Sequence, residues 1–358
     1  MHGRDHPRYT ILARNRSVVN RIRRSGGQVD YVSLHSGLIS ARIPRSQAKK
    51  MLRGRDVLLA EEDQGVTIPK PKLSRVLTKR EYQQSVKKAQ QTLTWNVRRV
   101  WRGAPAPDAG RGIRVGVVDS GIDLSHPDLV RNIRGGVNFV HPGRPPRDDN
   151  GHGTHVAGII AARSNGIGVV GVAPSASLYA IKVLNAQGSG SITDLIRGID
   201  WGIDNRMHIL NLSLSAGGSA PAALVHAVNT AVRRGILVVA AAGNSGNDEG
   251  NGNHVEVPAR IASTLAVAAT NRQNRRASFS ATGPALDLSA PGVDILSTYP
   301  VNRYAVFSGT SMACPHVSGV AARFKQGGRS TAAVRRLLFQ RAIPLGARRW
   351  YGAGLVQV

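Results

Sequence analysis

From Ile113 onward the chain alternates short, nearly unbroken apolar runs with stretches of helical periodicity, and few folds tolerate that pattern. I-R-V-G-V-V ends at Asp119, and comparable runs occupy residues 178–183, 208–214, 236–241 and 264–269. A strand that is apolar on both faces must be covered on both faces, as a central parallel strand flanked by helices is. The reading is an α/β fold with an open, doubly wound, mainly parallel sheet, whose chemistry is expected beyond the carboxyl ends of the strands. At 358 residues and 41% hydrophobic, the chain can bury one large core and a smaller one.

Four segments carry candidate chemistry. Asp119 closes the first run as D-S-G, where an isolated aspartate would ordinarily cap a turn. D-D-N-G-H-G-T-H-V-A-G then places His152 at the head of small and apolar residues suited to a helix packed on the sheet. The pair His152 and His155 invites a zinc reading, but the glutamate of H-E-x-x-H is missing and no third ligand accompanies them, so metal catalysis is set aside. V-V-A-A-A-G-N-S-G presents Asn244, an ordinary turn residue whose amide is also one of the few neutral groups able to donate to a carbonyl oxygen turning negative.

The fourth segment, S-G-T-S-M-A-C-P-H-V-S-G over 308–319, puts Ser311 at a helix N-terminus. There unpaired N–H groups and the positive end of the dipole favour a developing anion. Pro315 is expected in the first turn, where its missing N–H would be unpaired anyway. Met312 reads as packing and Cys314 as a small buried hydrophobe. Ser311 as nucleophile, His152 as base, Asp119 as the orienting carboxylate, and Asn244 with the Ser311 N–H as oxyanion donors together complete an acyl-transfer set.

The first part of the chain is different. Strand, helix, hairpin, helix and strand signals follow one another from Tyr9 to Ala60, giving a small βαββαβ unit with two helices on one face of its sheet. Residues 69–90 are basic and open with prolines, and read as an exposed linker, either a plain tether or a region that is cut. The divisions are therefore 1–68, 69–90 and 91–358.

A net charge of +27 would by itself suggest nucleic acid or an anionic surface, and a binding protein of that kind is the competing class. The charge is diffuse and aromatic residues make up only 4%, so no stacking platform is expected and no specific nucleic-acid partner is assigned. The four intact segments favour the enzyme, because binding alone gives no reason for all of them. No apolar run approaches the roughly 20 residues of a membrane span. The first dozen residues hold no apolar leader core, which by itself points to a cytoplasmic setting. The single cysteine excludes an internal disulfide.

V-V-D-S-G-I-D, N-G-H-G-T-H-V-A-G, A-A-A-G-N and G-T-S-M-A-C-P-H-V stand in the order found in subtilisin-like serine proteases, which the chain resembles from about Gln91 to its end. The resemblance implies a serine endopeptidase acting on protein or peptide substrates as a monomer. It implies substrate-binding edges at Gly188, Ser189 and Gly190 and at Ser213, Leu214 and Ser215, although the family commonly has glycine where Ser215 stands. It implies a structural calcium ion held by Gln91, Asp128, Arg163, Asn165, Ile167 and Val169, oxygen donors suited to a hard cation. The first 68 residues resemble the family's propeptide, an intramolecular inhibitor and folding aid whose tail lies in the cleft, with processing expected between Thr67 and Gln91; that architecture implies a secreted protein, with a cytoplasmic one as the alternative. Lys72, Arg75, Arg80 and Lys88 offer bonds for it, and Pro71 protects Lys70. Among the pocket residues Ala241, Ala242, Gly243 and Glu256, the last departs from the family's small residue. It gives a preference for Lys or Arg before the scissile bond, or else turns outward, or pairs with Arg260.

Overall fold

The computed structural model describes residues 6–69, 71–77, 81 and 91–358. Its centre is a seven-stranded sheet built from β7 (Arg114–Asp119), β8 (Ile133–Asn138), β9 (Ser177–Lys182), β11 (Ile209–Leu212), β12 (Leu237–Ala241), β13 (Leu265–Thr270) and β14 (Leu288–Pro291). The order across the sheet is β14-β13-β12-β11-β7-β9-β8, and every pairing is parallel. The apolar runs demanded this. Val115 and Val117 face one cluster with helices α4 (His152–Ala161) and α7 (Thr310–Lys325), while Val118 faces another with α5 (Ile192–Asp204) and α6 (Ala222–Arg233). Winding reverses beside β7, whose neighbours are β11 and β9, and Asp119 ends β7 at that switch point, where such sheets open a crevice.

The N-terminal unit has the expected βαββαβ order: β1 (Arg8–Ala13), α1 (Ser17–Arg24), β2 (Gln28–Val32), β3 (Leu38–Arg42), α2 (Arg45–Met51) and β4 (Val57–Glu62), arranged β2-β3-β1-β4. Alternation divides its strands between two jobs. Ile11, Ile39 and Ala60 face α1 and α2, while Leu12, Leu38 and Leu59 pack on the cluster of α5 and α6.

The linker is where structure and sequence part. Its described part up to Leu77 is not an unpaired tether: Pro69 is buried and β6 (Lys72–Leu77) is a strand, as is β5 (Gly65–Thr67) just before it. β5 pairs antiparallel with β10 (Ser189–Ser191), and β6 pairs antiparallel with β16 (Arg303–Ser308), the outer strand of a hairpin with β15 (Ile295–Tyr299). Arg80 and Lys88 lie outside the described residues. Among those described, no helix is long and apolar enough to cross a membrane.

Candidate active site

Asp119 and His152 meet as expected. The His152 Nδ1 lies 2.8 Å from Asp119 Oδ1, which also accepts the Ser120 N–H at 2.8 Å, and both side chains are buried. That acceptor assigns the proton to Nδ1 and leaves Nε2 as the basic nitrogen, which has no hydrogen-bond partner among the described residues. The start of the helix that carries His152 is held by Asp148, a residue the sequence does not single out. Its carboxylate accepts the N–H groups of Asn150, Gly151 and Thr154, which begin α4, and the hydroxyl of Ser120 at 2.9 Å. Lys182, equally unforeseen, is buried and donates to the Ser120 carbonyl at 2.5 Å, the Leu184 carbonyl at 2.9 Å and Asp149 at 2.6 Å. Three partners compensate the desolvation of its ammonium.

Ser311 is the second residue of α7, so the helix N-terminus expected for it is present. Pro315 is not in the first turn but inside the helix. Its missing N–H strips Ser311 of the usual partner for its carbonyl, and the Ser213 hydroxyl takes that place, donating to Ser311 O at 2.9 Å. Asn244 is oriented from behind: its Oδ1 accepts the Thr310 N–H and the Thr310 hydroxyl, both at 2.9 Å. The amide is thereby fixed with Nδ2 facing the cleft.

The cleft is filled by the chain itself. Thr67 and Ser215 exchange two hydrogen bonds of 2.8 Å, and the Ile68 N–H donates to Gly188 O at 3.0 Å. Val66 lies opposite Gly190 with its side chain fully buried, and Asn244 Nδ2 donates to the Pro69 carbonyl at 3.0 Å. Extending the ladder by two residues sets residue 69 against Ser213, whose carbonyl would take the next N–H. Proline has none, and the Ser311 hydroxyl donates to Ser213 O instead, at 3.2 Å. Gly188, Gly190 and Ser215 thus pair with residues 66–68 as with an extended strand, and the carbonyl that Asn244 holds is that of Pro69, not of Lys72 or Arg75.

Known proteins are similar to this chain in sequence. The family model for the subtilase family matches residues 110–354. The chain belongs to the subtilase family. Subtilisin Savinase from Lederbergia lenta is 52% identical over 274 residues, covering 74% of this chain and 97% of that protein. The alkaline protease of Shouchella clausii is 52% identical over 274 residues, 74% of this chain and 69% of its own, and subtilisin E of Bacillus subtilis is 51% identical over 252 residues, 70% and 65% respectively. This subtilase is a serine endopeptidase.

Other parts of the subtilase follow from the same coordinates. His155 sits between the carbonyls of Ile295 and Ala305, each 3.0 Å from Nε2, and burial drops its pKa to about 3. It is a neutral tie between α4 and the β15–β16 hairpin. Burial raises the Cys314 thiol well above its ordinary range, in keeping with a packing role. Glu256 does not pair with Arg260, whose guanidinium donates to Gly218 O at 2.7 Å. The Glu256 carboxylate instead accepts the Ser245 hydroxyl at 2.8 Å and lies against Gly243, where an added Cβ would come within 2.4 Å of its Cδ. Ala242, its backbone partner, is buried beside it.

Beside the start of the subtilase domain a set of oxygens converges. The Gln91 amide reaches Arg163 O, Val169 O at 3.0 Å and Asn165 Oδ1 at 3.2 Å. Ile167 joins through its N–H, which donates to Asn165 Oδ1 at 3.2 Å. Asp128 is fully buried, accepts from Val169 N, Asn165 and Tyr304, and is pushed by burial up to about 6. Gly168 leaves the room: a Cβ there would lie 2.0 Å from Asp128 Oδ2. Among the described residues no group of three or more His, Cys, Asp or Glu side chains gathers to hold a metal; this cradle has one carboxylate and otherwise amide and carbonyl oxygens.

Proposed function

We propose that the protein is made as a self-inhibited precursor of a serine endopeptidase, with Asp119, His152, Ser311 and Asn244 in the catalytic roles. The observation that carries this reading is the Pro69 carbonyl on Asn244 Nδ2, at the end of a segment paired on both sides as a substrate would be. In the reaction the Ser311 hydroxyl adds to the carbonyl carbon as its proton passes to His152 Nε2. Asp119 holds the resulting imidazolium through Nδ1–H. The oxyanion takes hydrogen bonds from Asn244 Nδ2 and the Ser311 N–H, at the positive end of α7. Collapse returns the proton to the departing amine, and water repeats the sequence on the acyl-enzyme.

Residues 1–68 act as the inhibitor, and the cut that releases them falls between Thr67 and Gln91. The Pro69 register suits inhibition better than turnover. Without a residue-69 N–H, the Ser213 carbonyl engages the nucleophile's own hydroxyl and draws it from the base. Glu256 sets a preference for Lys or Arg before the hydrolysed bond, because a long cationic side chain entering past Gly243 meets a carboxylate held by Ser245. Calcium is the fitting ion for the cradle of Gln91, Asp128, Arg163, Asn165, Ile167 and Val169. It would supply charge for a desolvated carboxylate and fix the loop, with no part in the chemistry. Release from the cell is the setting such a precursor suits.

Labelling by a fluorophosphonate tests the core of this reading. Incubated protein should be labelled at Ser311, hydrolyse peptides with Arg before the bond faster than those with Phe or Leu, and show a new N-terminus between 68 and 91. An unlabelled Ser311 in protein that has lost residues 1–68 would reject it.

A further inference from the structure

Beyond Pro69 the chain does not turn away from the cleft. β6 lies antiparallel on β16, with Lys72 opposite Ser308, Leu73 opposite Phe307, Arg75 opposite Val306, Val76 opposite Ala305 and Leu77 opposite Tyr304. The ladder begins three residues before Ser311 and runs away from it. The sheet order is β15-β16-β6, so β6 covers the outer edge of β16. Its side chains are engaged unequally. Residues 72–75 are exposed, Val76 is half-buried, and Leu77 is 7% exposed within the apolar cluster that also holds Tyr304, Phe307 and much of α7. A bulge between Val306 and Phe307 leaves Ser74 without a partner in the ladder.

We propose that this edge of β16 is a strand-accepting site for the leaving-group half of polypeptide substrates, reaching from the third to the eighth residue after the hydrolysed bond. In the intact chain β6 occupies it. The inference rests on the endopeptidase reading, since it counts from Pro69 as the residue whose carbonyl is attacked; Lys72 is then third and Leu77 eighth. Continuity carries the argument. One segment leads from the grip of Gly188 and Ser215, past Asn244, to the β16 ladder, antiparallel to its partner strand both before residue 70 and after it.

A main-chain ladder accepts most sequences, so it adds affinity without selecting side chains at the third to sixth residues. Selection falls at the eighth, where an apolar group takes the place of Leu77. The favoured substrate is therefore an extended or unfolded polypeptide with an apolar residue eight positions beyond the cut, over a short peptide with the same residues before it. It also follows that a cut leaving residues 72–77 attached to the catalytic domain keeps this half of the cleft strapped.

The test compares peptides that share the residues before the bond, with Arg last, and carry two, five or eight residues after it. They are given to full-length wild type and Leu77→Asp, each incubated to constant activity. In Leu77→Asp, whose strap has lost its anchor, the eight-residue extension ending in Leu should lower KM about tenfold against the two-residue one, at similar kcat. Ending the same extension in Asp should remove most of that gain. Leu77→Ala provides the same comparison if the aspartate variant does not fold. A KM independent of length would overturn the proposal. No hydrolysis of any peptide, together with no labelling of Ser311, would instead remove the endopeptidase reading beneath it.

Discussion

The folded N-terminal unit and the extended segment after it both hold the catalytic domain, but by different physics. The folded unit puts acceptors on helix N-termini. Glu61 accepts the Ala222 and Ala223 N–H groups that begin α6, at 3.0 and 3.1 Å, and Asp63 accepts the Thr193 N–H at the start of α5, at 3.0 Å. Around these stand Tyr31 on Asp200 at 3.0 Å and His35 on Asp204 at 2.5 Å. Helix dipoles favour such carboxylates, yet each contact is polar and partly wetted, so water can replace it. Residues 65–69 and 71–77 use main-chain ladders and three buried side chains, Val66, Pro69 and Leu77, and make the contacts expected of an extended peptide. The first grip is particular to this partner and separable, whereas the second imitates a substrate.

Disabling the imitation should have the largest consequence. Asn244→Ala removes the donor to the Pro69 carbonyl and should lower kcat on peptides by roughly 10²–10³, a magnitude carried over from subtilisin itself. The folded unit should stay docked, because it is held through Glu61, Asp63, Tyr31, His35 and its leucine face on α5 and α6. Hydrogen exchange at Ala222 and Ala223 reports that docking, and loss of protection there would show the two grips to be one.

Glu256→Gln sharpens the same contrast on the acyl side. Removing the charge should cost about 10–100-fold in kcat/KM for Arg substrates and leave Phe substrates nearly unchanged, as expected when a charge-assisted hydrogen bond is lost. Equal rates on Arg peptides for wild type and variant would place the carboxylate outside the pocket.

Glu61→Ala addresses the particular grip. Loss of a helix-terminal acceptor is worth about 1 kcal/mol, so exchange at Ala222 and Ala223 should quicken about fivefold, and peptide hydrolysis should emerge a few-fold sooner on incubation. No change in either would mean that the apolar face of Leu12, Leu38 and Leu59 does the holding.

The smallest effect is expected at the cradle proposed for calcium, which Gln91 joins. Asp128 has a folded-state pKa raised from 3.8 to about 6. Without calcium the folded chain then binds that proton more tightly than the unfolded chain, so the stability from this group is present at low pH and is lost as pH rises from about 4 to 6. Calcium needs the ionised form and reverses the trend. A chelator should lower Tm by a few degrees at pH 8 and by much less at pH 5. An equal shift at both pH values would contradict the assignment.

Much of this was legible in the residues, for identifiable reasons. Runs buried on both faces permit little but a parallel sheet, and each catalytic residue sits in a short segment whose neighbours fix its local backbone. What escaped depends on partners distant in sequence. K-L-S-R-V-L reads as basic linker because a strand held on one edge with four exposed side chains lacks clean alternation; β16 decides it. Lys182 looked like the end of an ordinary strand, since Ser120, Leu184 and Asp149 only surround it once β7 and β9 pair. Pro315 lies deeper in its helix than the first turn that its missing N–H suggests, and the Ser213 hydroxyl that repairs its gap comes from another strand end altogether. The pairing of Glu256 with Arg260, four residues away, was plausible locally, but each side chain finds its partner outside that turn.

The central claim is that residues 65–69 lie in the cleft as a substrate whose one fault is the proline at its reacting residue. Pro69→Arg supplies the missing N–H for Ser213 and a cation for Glu256, and should release the Ser311 hydroxyl toward His152. Gel analysis with N-terminal sequencing of the full-length variant should find rapid self-cleavage after residue 69, many-fold faster than any cut in wild type. Cleavage of the variant no faster than wild type, or only at other bonds, would contradict the account.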